Sequence, residues 1–300
     1  MRLIALLCWI LAFAAQPAAA ATSAALVPLE RQLSQLLASR PGDHGVAALD
    51  LDSGELISVN GDRAFPMAST VKVAVAAAYL AQVDHGRRSL EDRIGGRSAR
   101  QLIEAMLIRS DNPATDILIR DLGGPKAVQT WLDWNKLSNI RIDRNIAQLL
   151  SDRRDLWDVR DSSTPKAMVT MLRQIERGNV LSTGSRNYLL DTMARCATGK
   201  NRMRGLLSPF TQVQHKTGTL NGLTTDVGYI TLADGRRLAV AFFSRGGSDR
   251  PRSIAEAARA IYDGFSYYLR RPAIGLVGAN QAQPRRGGAG VMRHSSPPLS

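Results

Sequence analysis

Strand-type alternation occurs only at the two ends of this 300-residue sequence, and about 130 residues of helical periodicity separate the ends. "HGVAALDLDSGELISVN", residues 44–60, reads as a hairpin turning at Asp52-Ser53-Gly54. "TQVQHKTGT", residues 211–219, is a strand, and "DVGYITLADGRRLAVAFFS", residues 226–244, is a hairpin turning at Asp234-Gly235. Hairpins make antiparallel pairs. The early strands must pair with the late ones, since otherwise both sets leave open edges. The predicted fold is therefore α+β: an antiparallel sheet flanked by helices, with an inserted all-helical subdomain over about residues 66–194. A cleft is expected where the insertion meets the sheet.

Helices flank these strands. Leu29, Leu33, Leu36 and Leu37 recur at helical spacing over Val27–Ser39. Arg97–Arg109 is amphipathic. Thr164 and Pro165 suit the cap and first position of a helix that Gly178 ends. "SIAEAARAIYDGFSYYLR" closes the domain, with Ser253 and Glu256 as a capping box. Trp131 and Trp134 read as helix packing.

The ends have a different character. Arg2, the apolar run Leu3–Ala15 and the small residues of "QPAAAATSA" have the form of a cleavable signal, placed at residues 1–20. No later segment is long and apolar enough to span a bilayer. The domain is set at 21–270, and the Pro-, Gly- and Arg-rich residues 271–300 as a flexible basic tail. A periplasmic or secreted protein is expected, with no stable membrane insertion and as a monomer. Beyond the signal only Cys196 is left, which excludes an internal disulfide and reads as a small core residue. The net charge of +13 is spread along the chain, aromatics make up only 5%, and no basic run interleaves with them, so nucleic acid is not an expected partner. No histidine pair has metal-ligand spacing and no glycine loop cradles phosphate, so neither a metal nor a cofactor is expected.

The chemistry is carried by three short motifs. In "FPMASTVKVAVAAAYL" Pro66 leads the chain toward a helix whose first turn holds Ser69, with Lys72 one turn on. Amide N–H groups at a helix start suit an oxygen that becomes negative in acyl transfer. A lysine kept neutral by burial and a second cation could take the serine's proton. Alone this pattern is weak, because "STPK" at 163–166 repeats it where the serine reads as part of a cap. "RSDNPATDILI" adds Ser110, Asp111 and Asn112 in a loop between helices, and "HKTGTLNG" adds Lys216, Thr217 and Gly218 on a strand.

In this order the three motifs are the signatures of serine penicillin-recognising enzymes. Together with "DVRDSSTPKAM" and "DVGYITLADGRRLAVA", the chain from about Leu26 to Leu269 resembles the class A β-lactamases. The resemblance implies Ser69 as the acylated nucleophile, Lys72 as its proton acceptor and Ser110 as the relay to the leaving nitrogen. It implies Asn112 as a ligand of the substrate amide, with Lys216, Thr217 and Gly218 binding the substrate carboxylate. The amides of Ser69 and Thr219 would form the oxyanion hole. The implied substrate is a β-lactam or a peptidoglycan-type peptide.

One loop departs from the family. Class A enzymes read approximately Leu-Asp-Arg-x-Glu-x-x-Leu-Asn, where the glutamate and asparagine hold the water that cleaves the acyl-enzyme. Here "IDRNIAQLL" aligns Asp143, Arg144 and Leu149 but places Ile146 and Leu150 at the catalytic positions. The loop's ion pair is expected between Arg144 and Asp161. The resemblance therefore implies acylation with doubtful turnover, unless Asp152 or Asp155 substitutes. A D-Ala-D-Ala peptidase and a non-catalytic cell-wall-peptide binder are the alternatives. The connection from Lys72 to Ser110 is shorter than usual, which predicts a more open cleft.

Overall fold

The structure is a computed structural model, and it describes residues 23–153 and 155–269. The expected signal segment and tail lie outside the described residues. Helix α1 (Val27–Ala38) leads into β1 (Asp43–Asp50) and β2 (Leu56–Val59), then the short β3 (Phe65–Pro66). A 3-10 turn, Ala68–Val71, opens α2 (Lys72–Asp84). After β4 (Arg93–Ile94) and β5 (Arg97–Ser98) come α3 (Ala99–Ile108), α4 (Asn112–Leu122), α5 (Pro125–Trp134) and α6 (Ile146–Ser151). Then follow β6 (Ser162–Ser163), α7 (Pro165–Glu176) and α8 (Thr183–Ala194). The chain returns to the sheet as β7 (Val213–Leu220), β8 (Leu223–Thr231) and β9 (Arg237–Arg245), and α9 (Arg250–Tyr268) closes it.

The main sheet is antiparallel in the order β2-β1-β9-β8-β7. As the edge argument required, first and last strands are neighbours, with Val46 opposite Phe242 and Ala48 opposite Val240. Both faces of this sheet are covered. On β9, Leu238, Val240 and Phe242 join the core with α1 and α9, while Ala239, Ala241 and Phe243 join the core of the helical block. A strand buried on both faces reads as an unbroken apolar run, which "LAVAFF" is. Helix α2 runs through the second core with Lys72 to Ala81 all buried.

Four expectations need correction. The inserted block is not wholly helical, because β3 pairs with β6 and β4 with β5 as two-stranded ribbons. Ser69 lies in the 3-10 turn before α2 rather than in the helix proper. Helix α9 starts at Arg250, so Ser253 lies inside it, and the capping box is absent. Glu256 instead pairs with Arg40 and Arg252. The start signal was Pro251, which fits a first turn because it lacks the amide N–H that such a turn leaves unpaired. Trp131 is buried, but Trp134 is 80% exposed.

The ion pair expected in the loop before α7 is present. Arg144 Nε donates to Asp161 Oδ2 at 2.6 Å, and its guanidinium also meets Asp152 and Asp158. Asp161 Oδ1 accepts the amides of Asp143 and Arg144 at 2.8 and 3.0 Å. Asp161 is buried, and its charge is the acceptor for Arg144 Nε and for two backbone amides, so neutralising it weakens all three hydrogen bonds although Asp152 and Asp158 still face Arg144. Asp161→Asn should lower unfolding stability by about 2 kcal/mol, the scale of a hydrogen bond to a charged group. Chemical denaturation checks this, and a change below about 0.5 kcal/mol would show the pair is energetically idle.

Candidate active site

The backbone turns sharply just before Ser69. Ala68 has a φ of 49°, and Lys72 N–H bonds back to the carbonyl of Ser69. The turn is held against the sheet, where Thr225 Oγ1 donates to Met67 O at 3.1 Å. Gly218 makes that approach possible, since a Cβ there would lie 2.8 Å from Met67 O and 2.3 Å from Thr225 Oγ1. This glycine is required for the close approach of β7, whatever its part in binding.

Lys72 is fully buried at the head of α2. Its Nζ donates to Ser110 O at 2.7 Å, Ser110 Oγ at 3.2 Å and Asn112 Oδ1 at 2.7 Å. Ser110 reaches this position through a φ of 60°. Asp111 then caps α4, accepting the Ala114 amide at 2.6 Å. From the strand side Lys216 Nζ donates to the same Ser110 Oγ at 2.9 Å and to Thr217 O at 2.7 Å. One serine hydroxyl thus bridges two buried ammonium groups from different elements.

Burial, and then the charge of Lys216, hold Lys72 well below the ordinary lysine range, at about 7. Burial likewise brings Lys216 down to about 8, and Cys196 and Asp226 limit that fall. Buried ammonium groups need a partner or lose the proton. At neutral pH Lys72 is poised to exchange a proton, while Lys216 keeps its charge.

Sequence reasoning missed Arg202. Its Nη1 donates to Gly218 O at 2.9 Å and Thr225 O at 3.0 Å, and its Nη2 to Thr219 Oγ1 at 2.7 Å. The hydrogen-bond partners of Lys72, Lys216 and Arg202 named here are all neutral oxygens. Such a set of cations is suited to an anionic ligand. No local pattern marks Arg202, because it comes from the loop after α8 and meets β7 only in the folded chain. His215, the residue before Lys216 on β7, is 1% exposed and bonds Asp226 at 2.8 Å. Cys196 is buried, as expected of a small core residue.

The loop carrying α6 closes the helical side. Ile146 and Ala147 donate their amides to the two oxygens of Asp116, at 2.7 and 2.9 Å. The field of Asp116 also reaches Lys72. The Ile146 side chain is 5% exposed, and Leu150, one turn on, is 47% exposed. Neither can polarise water. Asp152 is tied to Arg144 and Arg160, and Asp155 accepts the Trp157 amide at 2.8 Å.

Comparison with known proteins bears on the family and the fold. A family model described as "Beta-lactamase enzyme family" matches residues 28–265. The β-lactamase VEB-1 of Pseudomonas aeruginosa is 30% identical over 81% of this chain and 91% of its own length. The extended-spectrum β-lactamase PER-1 of the same organism is 29% identical over 80% of this chain and 88% of its own. Among solved structures, an ancestral class A β-lactamase of Gram-negative bacteria superposes with a TM-score of 0.75 at 33% identity, over 79% of this chain and all of that one.

Proposed function

This chain belongs to the class A β-lactamase family, and from that premise we propose that it is an exported, monomeric serine hydrolase acylated by β-lactams at Ser69 and slow to release the product. The observation that carries the reading is the Lys72–Ser110–Lys216 bridge beside the Ser69 turn. Neutral Lys72 takes the Ser69 proton as Oγ attacks the lactam carbonyl. The carbonyl oxygen gathers charge toward the amides of Ser69 and Thr219. Ser110 passes a proton to the departing nitrogen, and Lys72 replaces it. Lys216, Thr217, Gly218 and Arg202 hold the substrate carboxylate, and Asn112 holds its side-chain amide. The acyl ester then waits, because Ile146 supplies no base for the incoming water. An acylated protein that does not turn over is also what a peptidase that binds penicillin would give. The apolar Ile146 is the observation favouring that second reading, with a stem peptide as the natural substrate.

The test is intact-protein mass spectrometry after mixing with benzylpenicillin. One adduct per chain should form and persist for hours. Acylation requires Lys72 neutral, so its rate should rise with pH through about 7. It requires Lys216 charged, so it should fall above about 8. The two limbs belong to a coupled pair and should be read as apparent values. No adduct at any pH would overturn the reading, and an adduct that vanishes as penicilloate accumulates would show an efficient deacylation step.

A further inference from the structure

The far end of α2 carries a second concavity, with no part in the steps above. Lys72 opens that helix and Asp84 ends it, so about 18 Å of helix lies between the two ends. There the last turn of α2, the second half of α5 and the turn between α7 and α8 enclose a cavity of about 580 Å³. That is within the size range of small-molecule sites. Ala81, Ala127 and Val180 give it apolar walls, and Trp131 and Trp134 also line it. Trp131 is 7% exposed and Trp134 80%. One indole therefore lies in the wall and the other stands at the rim.

The backbone at these helix ends is already satisfied. The carbonyls of Ala81, Val83, Trp131 and Asp133 accept the amides of His85, Gly86, Asn135 and Lys136. The polarity offered to the cavity therefore comes from side chains. Asn135 uses Nδ2 on Trp131 O at 2.7 Å, which leaves its Oδ1 open. Asn179 makes no side-chain hydrogen bond among the described residues. Arg87 Nε donates to Gln82 Oε1 at 2.5 Å, and its two Nη groups have no partner among the described residues. His85 turns back on Ala81 O, with Nδ1 at 2.5 Å. Among the described residues no carboxylate lines the cavity. Nearby, Asp84 is held by Ser182 and Ser185, and Asp133 by Gln129.

An exposed indole, two carboxamides and a guanidinium without a carboxylate select a ligand by its chemistry. A flat aromatic face fits the apolar C–H face of a sugar ring, while the ring's hydroxyls point outward to polar neighbours. Carboxamides supply both donors and acceptors for hydroxyl or acetamido groups. A guanidinium matches a carboxylate through a two-bond fork. A cationic ligand would face Arg87 with no acid in the lining, and a wholly apolar one would desolvate these polar groups without replacing their water. We propose that this cavity binds an acidic sugar unit, with a ring stacked on Trp134, its carboxylate on Arg87 and its hydroxyl or acetamido groups on Asn135 and Asn179. The site is separate from Ser69 and does not depend on acylation there.

The test is a calorimetric titration of the full chain with N-acetylmuramic acid, beside N-acetylglucosamine as its uncharged counterpart. N-acetylmuramic acid should bind once per chain and about tenfold more tightly than N-acetylglucosamine, the scale of one charge-assisted contact. Trp134→Ala should weaken it about tenfold, the scale of one aromatic contact. The side chain is exposed, so this variant should melt as wild type does, and Trp134→Phe should recover much of the binding. Arg87→Gln should bring N-acetylmuramic acid down to the affinity of N-acetylglucosamine and leave the latter unchanged. Absence of binding, or binding indifferent to Trp134→Ala, overturns the proposal. Equal binding of the two sugars, unmoved by Arg87→Gln, also overturns it. Displacement of the sugar by benzylpenicillin would place it in the Ser69 cleft and overturn it too. Ser69→Ala should bind as wild type does, so a protein that is never acylated leaves this result standing.

Discussion

Ser69→Ala will form no penicillin adduct, with the acylation rate falling by about 10⁴-fold or more, the scale seen when a nucleophile is deleted from a cooperating set. The effect should be this large because nothing else present can repeat the attack. Ser110 Oγ is engaged by both Lys72 and Lys216, and Cys196 is buried behind Thr198. The fold should be almost untouched. Ser69 is only half-buried, and the Ala68–Val71 turn is held by backbone bonds and by Thr225 rather than by the Ser69 side chain. The variant should therefore melt within a few degrees of wild type and still bind penicillin reversibly. A covalent adduct on the Ala variant would disprove the nucleophile assignment, and peptide mapping would then name the true one.

The double variant Ile146→Glu with Leu150→Asn should shorten the life of the adduct by about 10²–10⁴-fold, or roughly 3–5 kcal/mol of barrier, which is what a positioned general base contributes. The backbone at position 146 is already placed, because Asp116 clamps the amides of Ile146 and Ala147. Arg144 with Asp161 holds the loop leading into it. A carboxylate introduced there would lie in the field of Asp116, which raises its pKa, and of Lys72, which opposes that rise. Some stability will be lost, since Ile146 is 5% exposed and belongs to the core. Leu150→Asn alone should change little. Steady-state hydrolysis of a chromogenic cephalosporin reads the outcome. A double variant that folds, acylates and still does not turn over would show that the α6 loop points residue 146 away from the acyl carbonyl.

Much of this architecture is legible along the chain. Alternation in residues 44–60 and 226–244, with turns at Asp52-Ser53-Gly54 and Asp234-Gly235, carries the hairpins, and the need to close edges carries the β1–β9 pairing. Thr164-Pro165 marks the start of α7 because cap chemistry is local. Errors arose where a local signal was read in the wrong register. Ser253 and Glu256 have capping-box spacing, yet Pro251 and the left-handed Asp249 start α9 earlier. Trp134 has helical spacing with Trp131 but falls on the outer face of α5, because burial depends on which side of the helix meets the core.

By itself the sequence determined the order of the elements, the three motifs bearing Ser69, Ser110 and Lys216, and the apolar replacement at Ile146. These are properties of side-chain type and spacing, which survive without a fold. Only the tertiary structure decided that Ser110 bridges Lys72 and Lys216 and that Arg202 reaches the rim of β7. It also decided that Cys196, His215 and Asp226 share one buried cluster. Those relations join residues far apart in the chain. Their energies come from desolvation and from charges that meet only when α2, the loop before α4, the turn after α8 and strands β7 and β8 close on one another.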